Sequence, residues 1–105
     1  MENQHRKITG YRELSQTEID LMNRIKEKGA ELLALQAEVM GVLQASRFVI
    51  YNLIDNPETD EDPRIGHEEM DRFEKAEPFR WAAIGKTDIQ TAIMALVRAI
   101  AQPVV

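Results

Sequence analysis

The stretch before the first proline constrains the fold more than any other feature of the chain. No proline precedes Pro57, and within residues 16–54 apolar side chains recur at spacings of three, four or seven, the pattern of one face of an α-helix. This pattern predicts a single helix over about 16–54, about 58 Å long at a rise of 1.5 Å per residue. The residues that carry it are Ile19, Met22, Ile25, Leu32, Val39, Leu43 and Ile50.

Local signals mark both ends of this helix. Ser15 and Glu18 have the spacing of a capping box, in which the serine hydroxyl accepts from the amide three residues on and the glutamate accepts from the serine amide. Residues 1–14 before it are predicted to form an arm that is ordered only by packing on something else. Asn56 and Pro57 end the helix, because the residue before a proline disfavours the helical conformation.

A second apolar segment follows Pro78, a residue that suits the first turn of a helix. Its large apolar residues are interleaved with alanines up to Ala101, and Pro103 ends it. No internal repeat or strand alternation is evident, so we predict an all-α long helical hairpin, with helices at about 16–54 and 78–101, as a single domain. The large residues are Trp81, Ile84, Ile89, Ile93, Leu96, Val97 and Ile100.

The connecting segment is strongly acidic. Residues 55–77 contain ten acidic and three basic residues, a net charge of −7, whereas the whole chain of 105 residues carries −5 and the remainder therefore +2. The acidic stretch through Pro63 is predicted to be a solvated loop, and residues 67–75 either form a short polar helix or stay mobile. The overall charge argues against a nucleic-acid polymer as partner, while a small anionic ligand is compatible with the rest of the chain.

The second helix is apolar on more than one side and must therefore be buried against something. A two-helix hairpin has no third element to cover it, and Gly29 and Gly41 within the first helix favour close packing, since glycine costs about 1 kcal/mol relative to alanine there. We therefore expect the chain to self-associate into a compact homo-oligomer. The alternative is a three-helix monomer that uses residues 67–77 as the third helix.

Residues suited to catalysis or metal binding are scarce. The absence of cysteine excludes disulfides, thiolate metal sites and a cysteine nucleophile. His5 and His67 are the only histidines, and neither has a second ligand at metal spacing. Gly85-Lys86-Thr87 resembles the end of a phosphate-binding loop, but Arg80 occupies the position that requires glycine. We expect a protein that is not an enzyme and that has no cofactor and no metal site.

Membrane and export signals are also weak. The most apolar stretch, residues 92–101, is much shorter than the roughly 20 residues that span a bilayer. The N-terminal residues lack the apolar core of a signal peptide. A soluble cytosolic protein is the expectation.

Basic and aromatic residues cluster around the start of the first helix. A tyrosine ring can stack on a nucleobase while a nearby cation neutralises a phosphate, although a tyrosine beside basic residues is also common in ordinary surface packing, and Trp81 is suited to anchor an interface. The cluster comprises Arg6, Lys7, Tyr11, Arg12, Arg24, Lys26 and Lys28.

Four segments of the chain together form a recognisable pattern: residues 5–14 (HRKITGYREL), 18–23 (EIDLMN), 80–90 (RWAAIGKTDIQ) and 94–103 (MALVRAIAQP). These segments, which include parts of both predicted helices, resemble the phage proteins that sequester cyclic nucleotides and so defeat the bacterial anti-phage defence called CBASS. The middle of the chain, about 46–77, lies outside this resemblance and is interpreted as an insertion.

The resemblance implies a helical homohexamer that binds its ligands without converting them. It implies cyclic dinucleotides, such as 3′,3′-cGAMP, at sites between protomers and cyclic trinucleotides at separate sites on the oligomer axis. Tyr11 would stack on the bases, Lys26 would contact the phosphates and Arg80 would belong to the trinucleotide sites. The implied place of action is the cytoplasm of the infected bacterial host, without a membrane or a DNA or RNA polymer as partner. The alternative is a helical phage interaction or structural module that docks through its second helix.

Overall fold

The computed structural model describes residues 12–56, 62 and 64–103. These residues form three helices, α1 (Gln16–Asp55), α2 (Arg64–Ala76) and α3 (Pro78–Ala101), and no strand occurs among them. The predicted all-α hairpin with helices at about 16–54 and 78–101 is confirmed. Of the predicted arm, residues 12–14 are described and are not helical, and the rest lies outside the described residues.

Helix α2 settles the alternative left open for residues 67–75, because the short helix is observed and extends beyond both ends of that range. Its apolar face is narrow and consists of Gly66, Met70 and Phe73, spaced four and three residues apart. Phe73 is buried and its ring meets that of Phe79 edge to face, with 5.9 Å between the centroids. Residues 57–61 and 63 of the acidic segment lie outside the described residues.

The chain divides into two compact units, and the prediction of a single domain stays a prediction. The first unit contains residues 12–33 and 87–103, and the second contains residues 34–56, 62 and 64–86. In the first unit, Gly29 of α1 is buried directly against Ile93 of α3, which confirms that this glycine permits close packing. A β-carbon at Gly41 would meet no atom within 4 Å, so close packing at that position stays a prediction.

Few of the described large apolar side chains are buried. Ile50 and Phe73, 5% and 7% exposed, are the only buried hydrophobic residues among those described, whereas Phe48 and Met94 are 67% and 71% exposed. Other exposed apolar residues, including Leu35 and Trp81, lie on α1 and α3. Soluble monomers rarely expose large apolar patches, so this imbalance supports the prediction of self-association.

Within the part of the chain that the structure describes, one helix is long and apolar enough to cross a membrane when judged by length and composition alone. This helix is α1, whereas the prediction from the sequence considered only the shorter segment at residues 92–101. A helix that packs in the core of a soluble protein passes the same test, so the finding is weak evidence for a membrane.

Candidate ligand-binding site

The predicted capping box forms at the start of α1. The Ser15 amide donates to Oε1 of Glu18 at 2.9 Å, and the Glu18 amide donates to the Ser15 hydroxyl at 3.1 Å. Arg12 adds a second layer of contacts, because its guanidinium pairs with the Glu18 carboxylate and its Nη2 donates to the carbonyl oxygen of Ile100 at 2.7 Å. The segment that enters α1 is thereby joined to the last turn of α3.

The charge on Glu18 is strongly stabilised. Hydrogen bonds from the Arg12 side chain and the Ser15 amide lower the pKa of Glu18 from 4.5 to about 2. Glu18 therefore remains a carboxylate throughout the physiological pH range. Arg12 belongs to the predicted basic cluster, but its guanidinium already binds Glu18 and Ile100 of the same chain. Its side chain is 37% exposed.

Lys26 is exposed on α1 in the first unit, as its predicted role requires. Within the described part of the chain it forms no ion pair, whereas Lys28 pairs with Glu31 at 3.3 Å. Tyr11, the predicted stacking residue, lies outside the described residues, as do Arg6 and Lys7.

The first unit also contains an apolar groove of about 330 Å³ between α1 and α3. Arg24 and Lys28 line it together with Gly29 and Ile93. Lys26 lies two residues from each of these cations and therefore about 200° around the helix from them. The groove and Lys26 consequently belong to different sides of α1. Further lining residues are Leu21, Ile25, Leu32, Ile89, Ala92 and Leu96.

Arg80 lies in the first turn of α3, within the second unit, and is exposed. Its guanidinium carbon is 5.1 Å from the centroid of the Trp81 ring, and its Nη1 is 3.8 Å from the Glu77 carboxylate. A cation stacked on an aromatic face keeps its charge available to an anion approaching from the other side. The Arg80 guanidinium therefore stacks on Trp81 and is only weakly paired with Glu77.

A cleft of about 220 Å³ adjoins Arg80, and local sequence patterns contain little sign of it. Arg47 and Tyr51 of α1 line this cleft, with Arg47 stacked 4.7 Å from the centroid of the Phe79 ring. The four-residue spacing of Arg47 and Tyr51 places them on one helix face, which is the only local signal. Their neighbours Phe79 and Arg80 come from α3, so the cleft arises only through tertiary packing.

The predicted site residues fall into separate parts of the chain. Lys26 belongs to the first unit and Arg80 to the second. Among residues 12–56, 62 and 64–103, no group of three histidine, aspartate or glutamate side chains is arranged to hold a metal ion. His67 is exposed on α2, and His5 lies outside the described residues.

Comparison with known proteins identifies the family. The family model of the Acb2/Tad1 hairpin domain matches residues 3–101. The chain is also 58% identical to Anti-CBASS protein 2 of Pseudomonas phage JBD67 over 107 residues, which include 98% of this chain and 97% of the relative. The chain belongs to the Acb2/Tad1 hairpin family.

The match to the Acb2/Tad1 hairpin domain is wider than the segments that first suggested the resemblance. Its range, residues 3–101, has residues 46–77 between its two ends. The interpretation of those residues as an insertion stays a prediction.

Proposed function

We propose that this member of the Acb2/Tad1 hairpin family sequesters cyclic di- and trinucleotide second messengers and thereby blocks CBASS immunity in the cytoplasm of the infected host. The observation that carries the proposal is the identity of 58%, over nearly the whole of both chains, to a phage protein named for its action against CBASS. Sequestration requires affinity without turnover, so the proposal requires neither a catalytic residue nor a cofactor.

The dinucleotide site is proposed to use Tyr11 and Lys26. A cyclic dinucleotide carries two phosphates, and removing these charges from water demands cations close by. Lys26 is exposed and forms no ion pair with a described carboxylate, so it can contact a phosphate without breaking an existing pair. A two-fold interface between protomers would bring one Lys26 and one Tyr11 from each subunit to the same ligand.

The trinucleotide site is proposed to use Arg80. The Glu77 carboxylate is 3.8 Å away, farther than a hydrogen bond, and the Trp81 ring supports the guanidinium from one side. A phosphate can therefore displace the carboxylate at little cost and form charge-assisted hydrogen bonds with Arg80. Sites on the axis of a homohexamer would gather several copies of this arginine around one ligand.

The assembly itself is part of the proposal. Apolar side chains such as Phe48 and Met94, each about two thirds exposed or more, favour burial against further copies of the chain. Light scattering of the purified protein tests this, because a homohexamer has six times the 12.0 kDa mass of one chain. A monodisperse particle with the mass of a single chain would contradict both the assembly and the shared sites.

Calorimetry with 3′,3′-cGAMP tests the function directly. We expect tight binding, and we expect the ligand to be recovered intact after the protein is denatured. Tyr11→Ala should abolish dinucleotide binding and leave the mass of the oligomer unchanged. Recovery of linearised nucleotide would instead show a phosphodiesterase.

A second candidate function is a helical docking module. Trp81, Met94 and Leu96 on α3 are all more than half exposed, as a helix that binds a protein partner would require. Absence of binding heat with every cyclic di- and trinucleotide would favour this candidate over sequestration.

A further inference from the structure

The cleft beside Arg80 brings two guanidinium groups and a phenol ring together within the second unit. Arg47 and Tyr51 line it from α1, and Phe79 and Arg80 line it from the first turn of α3. Its volume is about 220 Å³, so these side chains can contact one ligand together. The other described lining residues are Met70, Phe73, Glu74, Glu77 and Pro78.

Both arginines of the cleft are held against aromatic rings. The guanidinium carbon of Arg47 is 4.7 Å from the centroid of the Phe79 ring, and that of Arg80 is 5.1 Å from the centroid of the Trp81 ring. Phe79 in turn packs edge to face on the buried Phe73. A stacked guanidinium keeps its charge and its N–H donors for a ligand. Because each side chain is already held, it loses less conformational freedom when a ligand binds.

The charges that face the cleft limit the kind of anion that it can hold. Arg80 lies 3.8 Å from the Glu77 carboxylate, whereas Arg47 is exposed and forms no ion pair with a described carboxylate. Glu74 also lines the cleft, so two negative charges balance the two positive ones. Repulsion from the carboxylates grows with the charge of the ligand. A phosphodiester, which carries one negative charge, therefore fits better than a phosphomonoester with two.

Tyr51 adds an aromatic surface to the two cations. The residue is 48% exposed, and it lies four residues after Arg47 on the same face of α1. An aromatic ring can stack on a nucleobase while a neighbouring cation neutralises the phosphate. We infer that Arg47 and Tyr51 complete the trinucleotide site of Arg80, with Arg47 contacting a phosphodiester and Tyr51 stacking on a base, an assignment that rests on the proposed function.

Paired substitutions separate the charge of Arg47 and the ring of Tyr51 from the rest of each side chain. Arg47→Gln removes the charge, whereas Arg47→Lys keeps it. Tyr51→Ala removes the ring, whereas Tyr51→Phe keeps it. Arg72→Gln is the matched control, because it removes the same charge from an arginine of the second unit that pairs with Glu69 and lines a different groove.

Calorimetry with cyclic triadenylate and with 3′,3′-cGAMP compares these variants with the wild type. Arg47→Gln should raise the Kd for cyclic triadenylate at least about a hundredfold, since several copies of a charged contact are lost around one ligand, and Arg47→Lys should raise it less. Tyr51→Ala should raise it at least about tenfold, and Tyr51→Phe should stay within about threefold of the wild type. Binding of 3′,3′-cGAMP and the oligomer mass should not change. Arg72→Gln should bind both ligands like the wild type.

The salt dependence of binding distinguishes a phosphate contact from a structural role of Arg47. Salt screens ion pairs near the surface, so the Kd of the wild type for cyclic triadenylate should rise with ionic strength. The rise should be less steep in Arg47→Gln, because fewer ion pairs remain to be screened. An unchanged salt dependence, or an equal loss of 3′,3′-cGAMP binding, would show a structural effect and overturn the contact.

The same measurements separate failure of this assignment from failure of the proposed function. If Arg80→Ala weakens the binding of cyclic triadenylate but Arg47→Gln or Tyr51→Ala stays within about threefold of the wild type, the range of an ordinary surface substitution, the role of that residue is overturned and the proposed function stands. A wild-type protein that binds 3′,3′-cGAMP but not cyclic triadenylate would overturn the trinucleotide part of the proposed function and the roles of Arg47 and Tyr51 with it.

Discussion

Gly29 of α1 and Ile93 of α3 lie so close together that a β-carbon at position 29 would be 2.5 Å from Cγ1 of Ile93. Gly29 is buried at this contact, which brings the two helices together in the first unit. Gly41 is in the same helix, but a β-carbon there would have no neighbour within 4 Å. The two glycines of α1 therefore differ in what a methyl group would meet.

Gly29→Ala should destabilise the protein. Overpacking costs roughly 1–3 kcal/mol, and the better helix propensity of alanine offsets about 1 kcal/mol of this. We expect the free energy of unfolding to fall by up to about 2 kcal/mol, measured by urea denaturation at a fixed protein concentration.

Gly41→Ala is the matched control for this contact. The same gain in helix propensity without a clash should raise the free energy of unfolding by about 0.5–1 kcal/mol. A Gly29→Ala protein as stable as the Gly41→Ala protein would contradict the packing of Gly29 on Ile93. A smaller oligomer mass for Gly41→Ala would instead place Gly41 at a contact between copies.

The stability of the fold should depend on the ionisation of Glu18. Its pKa is about 2 in the folded chain, below the ordinary value of 4.5, because the Arg12 side chain and the Ser15 amide donate to the carboxylate. A carboxyl group whose pKa is lowered by folding stabilises the fold fully above its unfolded pKa, and this contribution is lost as the pH falls through its folded pKa.

The difference in stability between the wild type and Glu18→Gln should therefore be constant near neutral pH and shrink as the pH falls from about 4.5 to about 2. Thermal unfolding of both proteins across this pH range measures this difference in stability. A difference that stays the same down to the lowest pH would contradict the assigned charge pairing.

Helix boundaries could be predicted because local residues encode them. The capping box at Ser15 and Glu18 and the position of Pro78 mark two helix starts, and both starts are observed. Helix α2 could not be decided from the sequence, because charged residues of both signs make up about half of it and leave only a few apolar positions. Its buried Phe73 is held partly by Phe79 of α3, and such a partner is not visible in a local pattern.

The candidate site was less predictable than the fold. Arg12 belongs by composition to a cluster of cations that could all contact a ligand, yet one of its acceptors is Ile100, 88 residues further along the chain. Arg47 stacks on Phe79 in the same way, across two helices. Both contacts form only when the helices pack. The sequence alone therefore cannot distinguish a cation that binds other residues of the chain from an exposed one without an ion pair, such as Lys26.

The residue that follows helix α3 is in the left-handed conformation. Gln102 has a φ of 49°, and its amide donates to the Arg98 carbonyl at 2.8 Å, just before Pro103. This conformation costs a residue with a β-carbon about 1–2 kcal/mol, whereas glycine adopts it readily.

Gln102→Gly should therefore raise the free energy of unfolding by about 0.5–1 kcal/mol, allowing for the greater freedom of glycine in the unfolded chain. Gln102→Ala removes the same polar side chain but retains a β-carbon, so it should bring no such gain. Chemical denaturation of the two variants measures the difference. Equal stability of both would show that the backbone conformation at position 102 carries no appreciable strain.

Substitution of Lys26 and substitution of Arg80 should weaken the binding of different ligands. At a two-fold site Lys26→Ala removes one cation from each of two subunits, and a hydrogen bond to a charged group contributes about 1.5–3 kcal/mol. We therefore expect Lys26→Ala to weaken dinucleotide binding by at least about a hundredfold and to leave trinucleotide binding unchanged. Arg80→Ala should weaken trinucleotide binding and leave dinucleotide binding unchanged.

Calorimetry with 3′,3′-cGAMP and with a cyclic trinucleotide measures all four affinities. Lys86→Ala is the control, because it removes an exposed lysine of α3 that has no assigned role. Light scattering confirms that each variant keeps the oligomer mass of the wild type. If either Lys26→Ala or Arg80→Ala weakened both ligands equally while the oligomer stayed intact, the two ligand classes would share one site, and the separate assignments of Lys26 and Arg80 would be wrong.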